Sequence, residues 1–253
     1  MRATLSKAEI ESDISSRFEN AFKLQEKKSV ATLATGVADV DSLTGGLPRG
    51  AITEIYGPAS SGRTSLLFSL LAYATTHDEI CALVDTNDVF APTSAVLSGI
   101  DLDRMLWIRC AANLEHAFKA TDLLLHAGGF GLVILDLGDV AGKDVRRIIS
   151  SWWYRFRRTV ESKPTAIVVI SAESCTRSCS LLTLELKGCA EWVTTKNVGH
   201  DNVVSINKES PLKLIPHANL LRVNSVEVNR RRPVTADLNQ TEFKSFFSTR
   251  HGT

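Results

Sequence analysis

Glu54-Ile55-Tyr56-Gly57-Pro58-Ala59-Ser60-Ser61-Gly62-Arg63-Thr64-Ser65-Leu66-Leu67 decides the fold of this chain. It reads as the end of a buried strand, a glycine-framed loop and the start of a helix. The loop fits G-x-x-x-x-G-K-[ST] at every defined position but one, with Arg63 where lysine is expected. A loop of this kind wraps phosphates by pointing backbone N–H groups inward, and the first turn of the helix adds its own free N–H groups and dipole. Gly57 and Gly62 supply backbone freedom. Pro58, Ala59, Ser60, Ser61 and Ser65 complete the cradle, and Thr64 offers a hydroxyl to Mg²⁺. Arginine at 63 keeps the charge but is bulkier, planar and forked. Phosphate binding is compatible with that exchange; the geometry at a γ-phosphate is what it disturbs.

A Gly/Ser surface turn ahead of an amphipathic helix would share this composition. The context argues against it. Residues 51–56 are strand-like, and Leu66, Leu67, Leu70 and Leu71 form a helical apolar face. Outward from the loop, strands are expected at 80–85, 105–109, 132–136 and 166–171, with helices over 66–76, 112–126 and 144–160. That alternation predicts an α/β fold with a mostly parallel sheet covered on both faces. Its ligands belong at the carboxyl ends of the strands. After residue 180 the pattern changes to strands at 181–186, 191–196 and 220–229, which predicts an antiparallel edge near the C-terminus. Residues 1–34 read as an N-terminal helix (5–28) and linker, 35–233 as the nucleotide-binding core, and 234–253 as a loosely ordered tail. The helix either docks on a neighbouring copy, giving a homo-oligomer, or packs on its own domain.

The 253 residues suffice for one α/β domain with a full core. No apolar run approaches the ~20 residues of a membrane span. The N-terminus is polar and charged, unlike a secretory signal, so a cytoplasmic location is expected. Five cysteines, an odd count, argue for free thiols, and Cys175-x-x-x-Cys179 lacks a partner pair for zinc. A net charge of +1 gives no global drive toward nucleic acid.

Leu132-Val133-Ile134-Leu135-Asp136 is an apolar run ending in a carboxylate. In phosphate-loop proteins such a strand lies beside the loop, and its aspartate helps hold hydrated Mg²⁺. Asp139 is a weaker candidate, better read as a solvated turn residue. On the 144–160 helix, Val145, Ile148, Ile149, Trp152, Phe156 and Val160 form an apolar stripe. Arg146, Arg147, Arg157 and Arg158 project from roughly the opposite side. That face suits a phosphate backbone, an acidic protein or simply solvent.

The segment 36–71, with Leu43-Thr44-Gly45-Gly46-Leu47-Pro48-Arg49-Gly50 leading into Glu54-Ile55-Tyr56-Gly57-Pro58, resembles the bacterial RecA-type recombinase core. The resemblance continues weakly to about residue 233. It implies a RecA-like ATPase fold, ATP and Mg²⁺ as ligands, DNA as substrate and a role in repair or recombination. Carried over residue by residue, it places Asn87 at the catalytic glutamate, flanked by Asp85 and Asp88. Asparagine orients a water but cannot take its proton. Ser94 and Ala91 fall on the adenine-stacking tyrosine and its nearby aspartate. Ala172 or Glu173 falls on the glutamine that senses the γ-phosphate. Val228-Asn229-Arg230 resembles the segment that reaches a neighbour's γ-phosphate, with Arg230 at its second lysine. The first DNA-binding loop is shortened, and the second, 173–180, carries only Arg177 as a base.

Such a degenerate, loop-poor chain is similar to the ImuA-like accessory group. Those proteins serve bacterial error-prone damage tolerance and the SOS response beside specialised polymerases. Two functions follow as expectations. One is a DNA-dependent ATPase that forms filaments on single-stranded DNA. The other, preferred, is an ATP-binding accessory or scaffold with weak or no ATPase, which recruits repair or translesion polymerase proteins and contacts single-stranded DNA with low specificity.

Overall fold

The computed structural model describes residues 31–194, 219–233 and 239–246. The chain divides into Met1–Ala31 and Thr32–Thr253, and every element below belongs to the second unit. The expected helix over 5–28 lies outside the described residues.

Among the described residues ten strands are formed: β1 Thr32–Leu33, β2 Leu47–Pro48, β3 Ile52–Tyr56, β4 Cys81–Asp85, β5 Met105–Arg109, β6 Leu132–Leu137, β7 Ala166–Ser171, β8 Ser180–Thr194, β9 Asn219–Arg232 and β10 Gln240–Phe246. In the same described residues six α-helices accompany them: α1 Ala38–Thr44, α2 Arg63–Thr76, α3 Pro92–Leu97, α4 Leu114–Ala127, α5 Gly142–Val145 and α6 Ser150–Val160. β1 and β2 form a small antiparallel pair. The other eight strands make one sheet in the order β10-β9-β8-β3-β7-β6-β4-β5. From β8 to β5 every pairing is parallel, while β9 and β10 add an antiparallel edge. This is the α/β architecture expected from the sequence.

Alternation along the strands sends side chains to two cores. Leu132, Ile134, Val168 and Ile170 pack under α2 with Leu66, Leu67, Leu70 and Leu71. Val133, Leu135, Ile167 and Val169 pack under α4 and α6 with Phe118, Trp153 and Phe156. Burying both faces is what turns these strands into near-continuous apolar runs.

Two expectations fail. The helix over 144–160 is two helices broken at 146–149. In α6 the buried residues are Trp153, Phe156 and Val160, whereas Trp152 is half-buried and Ile149 is 67% exposed. Placing Ile149 and Trp152 on one continuous stripe therefore set the wrong phase. As a result Arg146 and Arg147 lie in the turn, and Arg157 and Arg158 lie on α6, so the four do not share one helix face. The second failure is the loosely ordered tail: Gln240–Phe246 pair with β9 from Asn229 to Val223. Phe243 is buried while Glu242 and Lys244 stay exposed, the alternation of a charged edge strand.

Candidate functional site

The phosphate loop occupies the step from β3 to α2. Gly57 N–H donates to the Ser171 carbonyl at 3.2 Å, tying the loop to the end of β7. Gly62 caps α2 at φ 91°, in the left-handed region, and a Cβ there would overlap the Val226 side chain of β9. A Cβ on Gly57 would overlap the Leu186 carbonyl of β8. The two motif glycines are thus fixed by close approach of the antiparallel edge as well as by conformation. Ser60 is held at φ 62° in the same turn. Ser61 is buried, and its hydroxyl has no hydrogen-bond partner among the described residues. An orphan hydroxyl inside a loop of this shape suits a ligand acceptor.

Arg63, Thr64, Ala91, Ser94, Asp136 and Asp139 line one cavity of about 260 Å³. The order of strands puts β7 between β3 and β6, so the Asp136 strand is not the loop's immediate neighbour. Even so, the cavity brings Asp136 and Thr64 together. The positions matched to adenine recognition, Ser94 and Ala91, border it too. Its volume is at the small end of ligand pockets. Asp136 accepts from Gly138 N–H at 2.8 Å, yet burial pushes its carboxyl up to about 6. A cation would relieve that cost. One carboxylate and one hydroxyl suit Mg²⁺, which keeps waters and leans on substrate phosphates. Among the described residues no cluster of His, Cys, Asp and Glu forms an all-protein metal cage. Arg63 does not stand free over the loop: its guanidinium donates to the Gly138 carbonyl at 3.0 Å.

The matched catalytic positions are tied down. Asn87 donates to the Asp139 carbonyl at 3.2 Å and lines a neighbouring cavity, not the one containing Thr64. Asp85 is 1% exposed and accepts from Val89 N–H, Phe90 N–H and Trp107 Nε1 at 3.1, 2.9 and 3.2 Å. It holds the loop after β4 in shape. Asp88 pairs with Arg109 at 3.2 Å. Glu173 pairs with Arg146 at 2.7 Å. Arg230 donates to the Leu43 carbonyl at 2.7 Å and to Asn239 at 3.3 Å.

Sequence reasoning missed Glu54. It lies in the middle of β3, fully buried, and accepts from Ser174 Oγ (2.8 Å), Cys175 N–H (2.5 Å) and Thr176 N–H (2.8 Å). Residues 172–179 carry the chain from β7 over β3 to β8, a parallel crossover that normally takes a dozen or more residues and a helix. Too short for a helix, this crossover satisfies its backbone on the Glu54 carboxylate. The only signal in the sequence was an acidic residue inside an otherwise strand-like run. Cys81, Cys110, Cys175 and Cys179 are free and buried. Burial pushes the Cys81 thiol up to about 12, so it is a packing group rather than a nucleophile.

Of the arginine patch, Arg146 and Arg147 face Glu173 and Asp144. Arg157 and Arg158 have no carboxylate partner among the described residues, and the same holds for Arg177 and Arg232. Arg232 donates to the Arg177 carbonyl, and Arg177 donates to Ser150 Oγ at 2.6 Å. The Cys179 thiol is raised by burial and pulled back by the charges of Arg157, Arg177 and Arg232. The exposed basic cluster is drawn from α6, the crossover and β9.

Sheet order, loop and strand-end aspartate define an α/β protein of the phosphate-loop class. The RecA N-terminal domain model matches residues 4–144, and the chain belongs to that family. RecA of Cutibacterium acnes is 38% identical over 114 residues, 44% of this chain and 32% of that protein. RecA of Methylobacterium sp. (strain 4-46) is 38% identical over 114 residues, 45% and 31% of the two chains. The match thus spans about a third of the length of these curated relatives. The crystal structure of the RadB recombinase superposes with a TM-score of 0.57 at 18% identity, covering 84% of this chain and 96% of that one, a likeness of fold. No helix among the described residues is long and apolar enough to cross a membrane.

Proposed function

We propose that this chain is a RecA-like ATP-binding protein of bacterial DNA repair and recombination that has kept the anion cup and lost most of the turnover machinery. One observation carries the reading: Arg63, at the lysine position, is engaged by the Gly138 carbonyl beside Asp136 instead of standing free for a γ-phosphate. Asn87 adds to it, since it cannot serve as a base and is bonded to Asp139. ATP would lie on residues 57–65, and Mg²⁺ on Thr64 and Asp136. On this reading the protein is an accessory of the ImuA-like kind, acting in SOS damage tolerance in the cytoplasm beside repair or translesion polymerases. Self-association through the N-terminal segment belongs to the same proposal. Contact with single-stranded DNA would use Arg157 and Arg158 with Arg177 and Arg232, while Arg146 and Arg147 are already paired.

The discriminating experiment is ATP hydrolysis with and without single-stranded DNA, on the wild type and on Arg63→Ala. The accessory reading expects nucleotide binding with negligible turnover in both conditions. Strong DNA-stimulated hydrolysis that disappears in Arg63→Ala would establish instead a filament-forming, DNA-dependent ATPase.

A further inference from the structure

A second cavity, of about 640 Å³, opens beside the nucleotide site between the 86–87 turn, the start of α4 and the 139–152 segment. Its floor is aromatic: Phe118 and Trp152 meet with ring centroids 5.6 Å apart. Ile149, 67% exposed, stands at its mouth. Thr86 lines it, is 2% exposed, and its hydroxyl has no hydrogen-bond partner among the described residues. A buried orphan hydroxyl on a cavity wall calls for a ligand group. The wall at Ala111–Ala112 is strained, with φ 48° and 60° at two successive alanines. Ala112 N–H donates to the Thr86 carbonyl at 2.7 Å and Ala111 N–H to Asp88 at 3.3 Å, which holds that shape in place. Strain of this kind persists only where the surroundings over-determine it, and it clusters at functional sites.

The charges on the rim select the occupant. Glu115, Asp139 and Asp144 stand against Arg147 alone. Glu115 is paired with Lys119 at 2.6 Å, and Asp144 with Arg147 at 3.8 Å. The Asp139 carboxylate has no cationic partner among the described residues. A phosphate backbone is repelled here, whereas an apolar side chain with a neighbouring cation is complementary in both respects. We propose that this cavity is a docking pocket for a peptide segment of a partner protein. An aromatic or branched aliphatic anchor rests on Trp152, Phe118 and Ile149. A Lys or Arg within a few residues of the anchor meets Asp139, and a polar group of the peptide satisfies the Thr86 hydroxyl.

Asp139 borders the nucleotide cavity too, whereas Ile149 lines this pocket and not that one, so the test runs without ATP and the Ile149 variant separates a failure here from a failure of the nucleotide reading. A random 12-mer peptide display library is panned on the full chain and, in parallel, on Ile149→Asp and Asp139→Asn. The most enriched peptide is then synthesised with a fluorescent label and titrated by anisotropy at two ionic strengths. The expected consensus joins one apolar anchor to Lys or Arg. Its affinity should fall about tenfold in Ile149→Asp and about threefold or more in Asp139→Asn, and should weaken with salt. Both positions are at the exposed mouth, and circular dichroism confirms that the variants fold. The proposal is overturned by any of three results: an acidic or unbiased consensus, no enrichment relative to Ile149→Asp, or displacement of the peptide by a single-stranded oligonucleotide.

Discussion

Two loops leave the carboxyl ends of neighbouring strands, and they have diverged in opposite directions. The loop after β3 keeps the elements an anion cup needs: two close-packed glycines, a helix N-terminus and a hydroxyl sharing a cavity with a strand-end aspartate. The loop after β7 is where the family resemblance puts γ-phosphate sensing and DNA contact. Here it is short, crosses β3 without a helix, and is bonded to the buried Glu54. The loop after β4 is likewise held by Asp85. Recognition of an anion needs only backbone and one cation, so it survives drift. Hydrolysis needs a base, a sensor and a mobile loop in register, and the residues that the resemblance matches to those parts are here bonded to their surroundings.

Substitutions can break or sharpen this contrast. The largest effect is expected from Glu54→Ala, which orphans buried N–H groups in the crossover. At roughly 1–3 kcal/mol per orphaned group it should cost about 4 kcal/mol in urea unfolding. Glu54→Gln, which keeps an acceptor, should cost much less. An equal small loss for both would mean that the crossover does not depend on the carboxylate.

Gly62→Ala comes next. Its φ of 91° and the overlap with Val226 should cost about 2–3 kcal/mol and abolish nucleotide binding. Thr64→Ala should abolish only the Mg²⁺ dependence, since Thr64 is exposed. If Gly62→Ala bound ATP normally, the cup would be an incidental turn.

Asp136→Asn follows. The folded carboxyl titrates at about 6 rather than 3.8, so the fold favours the protonated form. Its contribution is therefore fully present below pH 4 and is lost as pH rises through 6. At about 1.4 kcal/mol per pH unit, the charged form costs on the order of 2–3 kcal/mol at pH 8. The variant should raise the stability of the ligand-free protein at pH 8 and leave it unchanged near pH 4, as thermal unfolding at the two pH values would report. Equal effects at both would remove the burial argument. Smallest is Arg146→Ala, which loses an exposed ion pair to Glu173 and should change stability by less than about 0.5 kcal/mol.

The sequence made the cup legible because all of its determinants are local: glycine spacing, the preceding strand and the leucines of α2. Strand ends at Arg109 and Ser171 were legible for the same reason, since apolar runs stop there. The break at 146–149 was not, because Ile148 and Ile149 let two helical phases be drawn through one segment, and only the tertiary packing that buries Trp153 and leaves Trp152 half-buried decides between them. The role of Glu54 was hidden because its partners lie 120 or more residues away. The strand at 240–246 was masked by charged residues on its outer face, although the burial of Phe243 between exposed neighbours follows a period of two.

The central claim is that the cup binds and the surrounding loops do not turn over. Calorimetric titration of ATP with Mg²⁺ into the purified chain, followed by chromatographic quantification of ADP in the same sample with single-stranded DNA present, addresses both halves at once. Saturable binding that requires Gly62, with ATP recovered intact, is the predicted result. No binding at millimolar ATP, or conversion of the ATP to ADP within the titration, would contradict it.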